Sequence, residues 1–205
     1  MRLFAAITPP VEVLDHLERA LTMLGPLPAP IGRPGRGPRG HRHHVATASP
    51  WTPRSTWHLT LAFFGSVPDG ALPDLEAAVA ASAREVEPFT IHLAGAGAFR
   101  STVMWVGVGG QTSPLTEAMH ELASVRGEVT AMREGRERNR AHLTISRAGA
   151  SVDASHVAHA LAVYRGPEWT VDAIDLVESR LGEGAQGHPL HTRLAAFPLG
   201  FTGLP

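Results

Sequence analysis

TWHLTLAFFG (residues 56–65) and NRAHLTISR (residues 139–147) are the two stretches that decide how this chain is read. Each holds a histidine, an aliphatic residue, a threonine and a second aliphatic residue: His58-Leu59-Thr60-Leu61 and His142-Leu143-Thr144-Ile145. The chain has 12 histidines in 205 residues. At that composition one such tetrad is expected about 0.04 times by chance, and two of them less than about once in a thousand such chains. Trp57 to Phe64 and Ala141 to Ser146 both read as strands, since aliphatic, aromatic and β-branched residues run there without a helical period. Side chains alternate along a strand, so His58 and Thr60 share one face while Leu59, Leu61 and Phe63 take the other, toward the core. His142, Thr144 and Ser146 repeat that arrangement against Leu143 and Ile145.

Outward from these strands, the chain reads as the same order of elements twice. In the first half, Leu3 to Ile7 is an apolar strand. Val11 to Leu24 is a helix with Val13, Leu14, Leu17 and Leu21 at helical spacing. Residues 25–50, dense in Gly, Pro and Arg, form a basic surface loop without periodicity. The first histidine strand follows, then a helix over Ala71 to Val86 and a strand from Phe89 to Leu93. In the second half, Val103 to Val108 is a strand, Pro114 to Val125 a helix opened by Ser113, and Arg133 to Arg140 a charged loop. The second histidine strand is followed by a helix over Asp153 to Val163, a strand from Trp169 to Val177, and a last strand near Leu190 to Phe197. This order predicts two similar lobes that face each other across a cleft.

Two imidazoles and two hydroxyls converging on such a cleft suit a volume the size of a phosphate. Opening a cyclic phosphodiester with water takes a base for the nucleophile and an acid for the departing ribose oxygen. Imidazole titrates near neutrality and serves for either task. One ring must be neutral and the other protonated, which predicts a bell-shaped pH dependence with no metal and no cofactor. The Thr60 and Thr144 hydroxyls would donate to the nonbridging oxygens as charge builds there. A lone strand histidine is usually an ordinary core residue; the matched pair carries the argument.

So placed, the two His-x-Thr-x signatures resemble those of the 2H phosphoesterase superfamily, and within it the RNA 2′,3′-cyclic phosphodiesterase branch (ThpR/LigT, the 2′-5′ RNA ligases). The similarity extends to the MRLFAAITPP start, to Gly97-Ala98-Phe99 ahead of the strand around Trp105, and to Leu176-Val177-Glu178-Ser179-Arg180-Leu181. The resemblance implies an α+β, bilobal, duplicated fold, with antiparallel sheets facing a central cleft and helices outside, as one domain over residues 1–205. It implies metal-independent hydrolysis of a 2′,3′-cyclic phosphate, at an RNA end or in a cyclic nucleotide, to a 2′-phosphate, with 2′-5′ ligation as the reverse reaction. By analogy, His142 would activate water and His58 would protonate the 3′-oxygen. Arg147, five residues after His142, is expected to contact the substrate phosphate. Strand parity points Arg147 away from His142, so it reaches the cleft only where the strand ends or bulges near Ser146. Relative to the branch, the 25–50 loop is long and basic, with Arg33, Arg36, Arg39 and Arg42 beside His41, His43 and His44. These, like Arg133, Arg136, Arg138 and Arg140, are candidates for meeting RNA phosphates.

Two other readings are weighed. A metal hydrolase is suggested by the local clusters His41/His43/His44, His156/His159 and His188/His191, but none has a compact carboxylate-supported ligand pattern. A nucleotide-binding module without turnover would have no need of both intact tetrads. Phe4, Trp57, Phe99, Trp105 and Tyr164 are the candidates for stacking on a base. With 18 basic and 19 acidic residues, the chain has no overall field to gather long nucleic acid. It has no cysteine, which removes disulfides, thiolate sites and a cysteine nucleophile. No stretch approaches the roughly 20 apolar residues of a membrane span. A cytoplasmic monomer is the expectation.

Overall fold

In the computed structural model, residues 1–25, 50–99, 102–129, 140–147 and 153–200 are described. In chain order the elements are β1 (Arg2–Ile7), α1 (Val11–Met23), β2 (Leu59–Ser66), α2 (Leu72–Arg84), β3 (Phe89–Phe99) and β4 (Val103–Gly110). They continue with α3 (Thr112–Val129), β5 (Leu143–Ser146), α4 (Ala154–Ala160), β6 (Arg165–Val171), β7 (Ala173–Arg180) and β8 (Leu190–Pro198). The class is α+β, with every strand pairing antiparallel. The basic loop, apart from its ends, and Arg133 to Arg138 lie outside the described residues.

The strands form one eight-stranded sheet in the order β6-β3-β4-β5-β2-β1-β7-β8. The two histidine strands, β2 and β5, are central neighbours, and each heads a four-stranded lobe: β2-β1-β7-β8 and β5-β4-β3-β6. The apolar run expected as one strand from Trp169 to Val177 is two strands, β6 and β7, which lie in different lobes. Only Asp172 separates them, and one residue spans at most about 3.5 Å. The sheet must therefore curl until its far edge approaches β7. Nothing in the local sequence marks this crossing, because Trp169, Val171, Ile174 and Leu176 are buried on both sides of it.

The helices pack on the sheet, α1 against β6, α2 against β8, α3 against β2 and α4 against β3, and α3 also borders the cleft through Thr116, Met119, His120 and Ala123. On α1 the buried side chains are Val13, Leu14, Leu17 and Leu21, the positions its spacing marks, each worth about 1.5–3 kcal/mol relative to exposure. Asp153 caps α4, accepting from the backbone N–H groups of Ser155 and His156, which satisfies two donors the first helical turn leaves unpaired. β3 runs on past Leu93 to Phe99. The Trp105 ring of β4 lies flat across Gly97, where an added Cβ would come within 2.4 Å of it. Phe4, Ala6 and Val177 form a small separate cluster, whereas Leu3, Ala5 and Ile7 join the main core.

Both histidine strands break the expected alternation at the same place. On β2, Ala5 pairs with Ala62 and Ala6 with Thr60, so Leu61 is an extra residue. On β5, Met104 pairs with Ser146 and Trp105 with Thr144, so Ile145 is extra. A bulge of this kind resets which face the following residues take. Ser146, expected beside His142 and Thr144, is instead 0% exposed, and its Oγ donates to the Pro50 carbonyl at 2.6 Å. Phe63, expected in the core, is 47% exposed, and Phe64 is buried in its place.

Candidate active site

A cleft of about 690 Å³ opens where β2 and β5 meet. The pairing there sets Leu59 opposite Leu143. In an antiparallel register this brings the flanking residues together crosswise, His58 beside Thr144 and Thr60 beside His142. All four line the cleft, as do Arg147 and Arg140. The structure thus gathers both histidines, both threonines and Arg147 in one cleft. Arg147 reaches the cleft because β5 ends at Ser146 and bulges at Ile145.

Nδ1 of His142 donates to the Arg140 carbonyl oxygen at 2.9 Å. A carbonyl only accepts, so that ring nitrogen carries the proton and Nε2 is left for the cleft. On His58, Nε2 lies 3.0 Å from Thr60 Oγ1. Burial pushes the His58 pKa down to about 3, helped by the nearby charges of His191, Arg147 and His142 and opposed by the Thr56 backbone.

The two rings have different surroundings. His58 stacks at 4.8 Å from Phe4 and meets His191 edge-on at 5.1 Å. His142 meets Phe99 edge-on at 5.0 Å, with Trp105 at 6.1 Å. Of the other candidate stacking residues, Trp57 is buried, with Nε1 donating to Thr52, and Tyr164 is bonded to His16. The exposed ring on the cleft wall is Phe63, backed by Phe4 at 5.8 Å. Sequence reasoning assigned Phe63 to the core; the bulge that turns it outward depends on pairing with β1 and leaves no local mark.

His191 was also missed as a site residue, because it sits on the last strand and reads as one of two histidines near a Gly/Pro-rich turn. Among the described residues no group of three or more His, Asp or Glu side chains is placed to hold a metal ion. His156 and His159 are exposed on α4. No helix among the described residues is long and apolar enough to cross a membrane.

Comparison with known proteins gives three findings. The family described as the 2′-5′ RNA ligase superfamily matches residues 41–183. An RNA 2′,3′-cyclic phosphodiesterase of Geobacillus stearothermophilus is 40% identical over 62 residues, a match spanning 28% of this chain and 20% of that protein. Among solved structures, E. coli LigT complexed with NADP+ superposes with a TM-score of 0.67 at 21% identity, covering 97% of each chain. LigT complexed with 3′-AMP gives 0.66 at 21% identity, covering 97% of this chain and 96% of that one. A Thermus thermophilus protein, TT0787, gives 0.62 at 27% identity, covering 98% of this chain and all of that one.

Proposed function

The chain belongs to the 2′-5′ RNA ligase superfamily, and from that premise we propose that it opens 2′,3′-cyclic phosphates, at RNA ends or in cyclic nucleotides, to 2′-phosphates. His58 and His142 are the acid and base of this metal-independent reaction, which run backward forms a 2′-5′ linkage. The observation that carries the reading is the crosswise meeting of the two tetrads in one cleft. It brings two proton-transfer groups and two hydroxyl donors to one phosphate-sized volume. The Thr60 and Thr144 hydroxyls bond the nonbridging oxygens, so Thr60 leaves His58 Nε2 when substrate enters. Arg147 supplies the cation that offsets the phosphate charge, and Phe63 offers a flat apolar face to the base. A relative named for the same reaction and a neighbour crystallised with 3′-AMP support the substrate class. The residues act within a single domain of two lobes.

The test is incubation with 2′,3′-cyclic nucleotides and a short RNA ending in a 2′,3′-cyclic phosphate, with chelator present, followed by identification of the product isomer. Turnover to a 2′-phosphate that His58→Ala and His142→Ala each abolish is the expected result. Binding without turnover would withdraw the hydrolysis and leave a nucleotide-holding cleft.

A further inference from the structure

Arg2 opens β1 on the face that carries Phe4 and Ala6, and it lines the cleft. The register of β1 with β2 orders that face: Ala6 lies opposite Thr60, Phe4 opposite Phe63 and Arg2 opposite Ser66. Arg2 is four residues from Ala6, so at about 3.3 Å per residue its backbone stands about 13 Å from the level of Thr60, with Phe4 and Phe63 in between. Arg147 lies at the other end. Because Leu59 faces Leu143 and the two strands run antiparallel, the residues after Thr144 continue past His58, away from Phe63. The cleft therefore has a guanidinium toward each end, with both tetrads and the Phe63 ring between them. Continuing the pairing of Leu3 with Glu178 sets Ser179 of β7 beside Arg2, and Ser179 also lines the cleft. Neither side chain has a hydrogen-bond or ion-pair partner among the described residues. The chain has 19 acidic residues, and none of those described lines the cleft. A guanidinium beside a hydroxyl, with no carboxylate to occupy them, forms a site for a phosphate.

We propose that Arg2 is a specificity-determining residue, which with Ser179 binds the phosphodiester on the 5′ side of the nucleotide whose cyclic phosphate lies between the tetrads. This rests on the proposed function and narrows its substrate to RNA ends. The reacting phosphate is held on the far side of Phe4 and Phe63 from Arg2, so Arg2 serves a second anion. With the base laid on Phe63, the 2′,3′ edge of the ribose faces the histidines and its 5′-carbon leads away from them, toward Arg2. In an RNA end that carbon carries a phosphodiester with one negative charge. In a cyclic mononucleotide it carries a neutral hydroxyl. The guanidinium gains a charge-assisted hydrogen bond from the first and little from the second. Arg140 borders the same stretch from the second lobe and is the natural comparison.

The test compares kcat/KM on adenosine 2′,3′-cyclic phosphate, on the same nucleotide with a 5′-phosphate, and on a dinucleotide ending in the cyclic phosphate. The wild type should prefer the two substrates with the extra phosphate by about ten- to a hundredfold, as expected for a charged hydrogen bond, and added salt should erode the preference. Arg2→Ala should bring both ratios close to one, Arg2→Lys should keep part of each, and Ser179→Ala should reduce them less than Arg2→Ala does. Each ratio compares substrates on one protein, so a variant that is merely less stable does not shift it. Wild-type ratios near one, ratios unchanged in Arg2→Ala, or a collapse in Arg140→Ala alone would overturn the proposal. If the wild type turns nothing over, the hydrolytic reading fails, and the Kd values of adenosine 2′-phosphate and adenosine 2′,5′-bisphosphate decide the subsite separately. Binding of the bisphosphate about tenfold tighter or more, lost in Arg2→Ala, is the expected result; equal binding of the two would overturn it.

Discussion

The strands β2 and β5 are alike for four residues and then diverge. Both carry histidine and threonine into the cleft, both bulge at the fourth tetrad position, Leu61 and Ile145, and both turn the residue after next outward. In the first lobe that residue is Phe63, and in the second it is Arg147. The same backbone device therefore presents an aromatic face on one side and a guanidinium on the other. For the proposed reaction, an acid and a base would call for the repeated frame, and a nucleotide with two unlike ends would call for the difference that follows it. On this division the phosphate would lean toward the second lobe and the base toward the first.

The largest expected effect tests the shared part. His58→Ala and His142→Ala should each lower turnover on the order of a hundredfold or more, with the double variant little worse than either, because the pair acts as a unit. Initial rates on a 2′,3′-cyclic nucleotide with chelator check this, and a variant that kept its rate would break the equivalence of the two strands.

The unlike part predicts a crossed pair of defects. Arg147→Ala should weaken inhibition by inorganic phosphate by about ten- to a hundredfold, as expected for a charged hydrogen bond. Phe63→Ala should leave phosphate inhibition in place and raise KM for a cyclic nucleotide by about tenfold, the low end of base stacking. Equal losses for both ligands in both variants would show that the two lobes do not divide the substrate.

A smaller effect concerns pH. The His58 pKa lies near 3 in the folded protein and at about 6.5 in the unfolded chain, so the unfolded state binds the extra proton first. The stability attached to this ring is complete above about pH 6.5 and is lost progressively as pH falls toward 3. His58→Phe should flatten that part of the stability curve, measured by denaturant unfolding from pH 7 to 4; an equally steep decline would place the acid sensitivity elsewhere. The smallest effect is at Ser146. Ser146→Ala should cost about 1 kcal/mol, from the lost bond to Pro50, seen as a lower Tm with KM unchanged. A changed KM would mean that this hydroxyl serves the cleft.

Much of the fold was legible because it rests on local rules. The helical spacing of Val13, Leu14, Leu17 and Leu21 marks the face that α1 buries, and Asp153 marks the start of α4. The bulge on β2 was not legible, and that on β5 entered only as the condition for Arg147 to reach the cleft, since Leu61 and Ile145 look like ordinary strand residues and become extra only against particular partners on β1 and β4. That is why Phe63 and Ser146 exchanged their expected environments while Arg147 reached the cleft. The single run from Trp169 to Val177 hid a crossing between lobes for a similar reason: apolar residues suit a strand in either lobe equally.

By itself the sequence determined the two histidine tetrads, the face of each that avoids the core, and the α+β order of elements. Each of these follows from a period of two or 3.6 residues, a property of a short stretch of chain. The tertiary structure alone decided that Leu59 pairs with Leu143, so that each histidine meets the other tetrad's threonine. It alone decided that Phe63 and Arg147 share a cleft, and that His191 arrives from the last strand against His58. Those outcomes depend on which distant strand supplies the partner, and pairing between distant segments is set by the closing of the whole sheet.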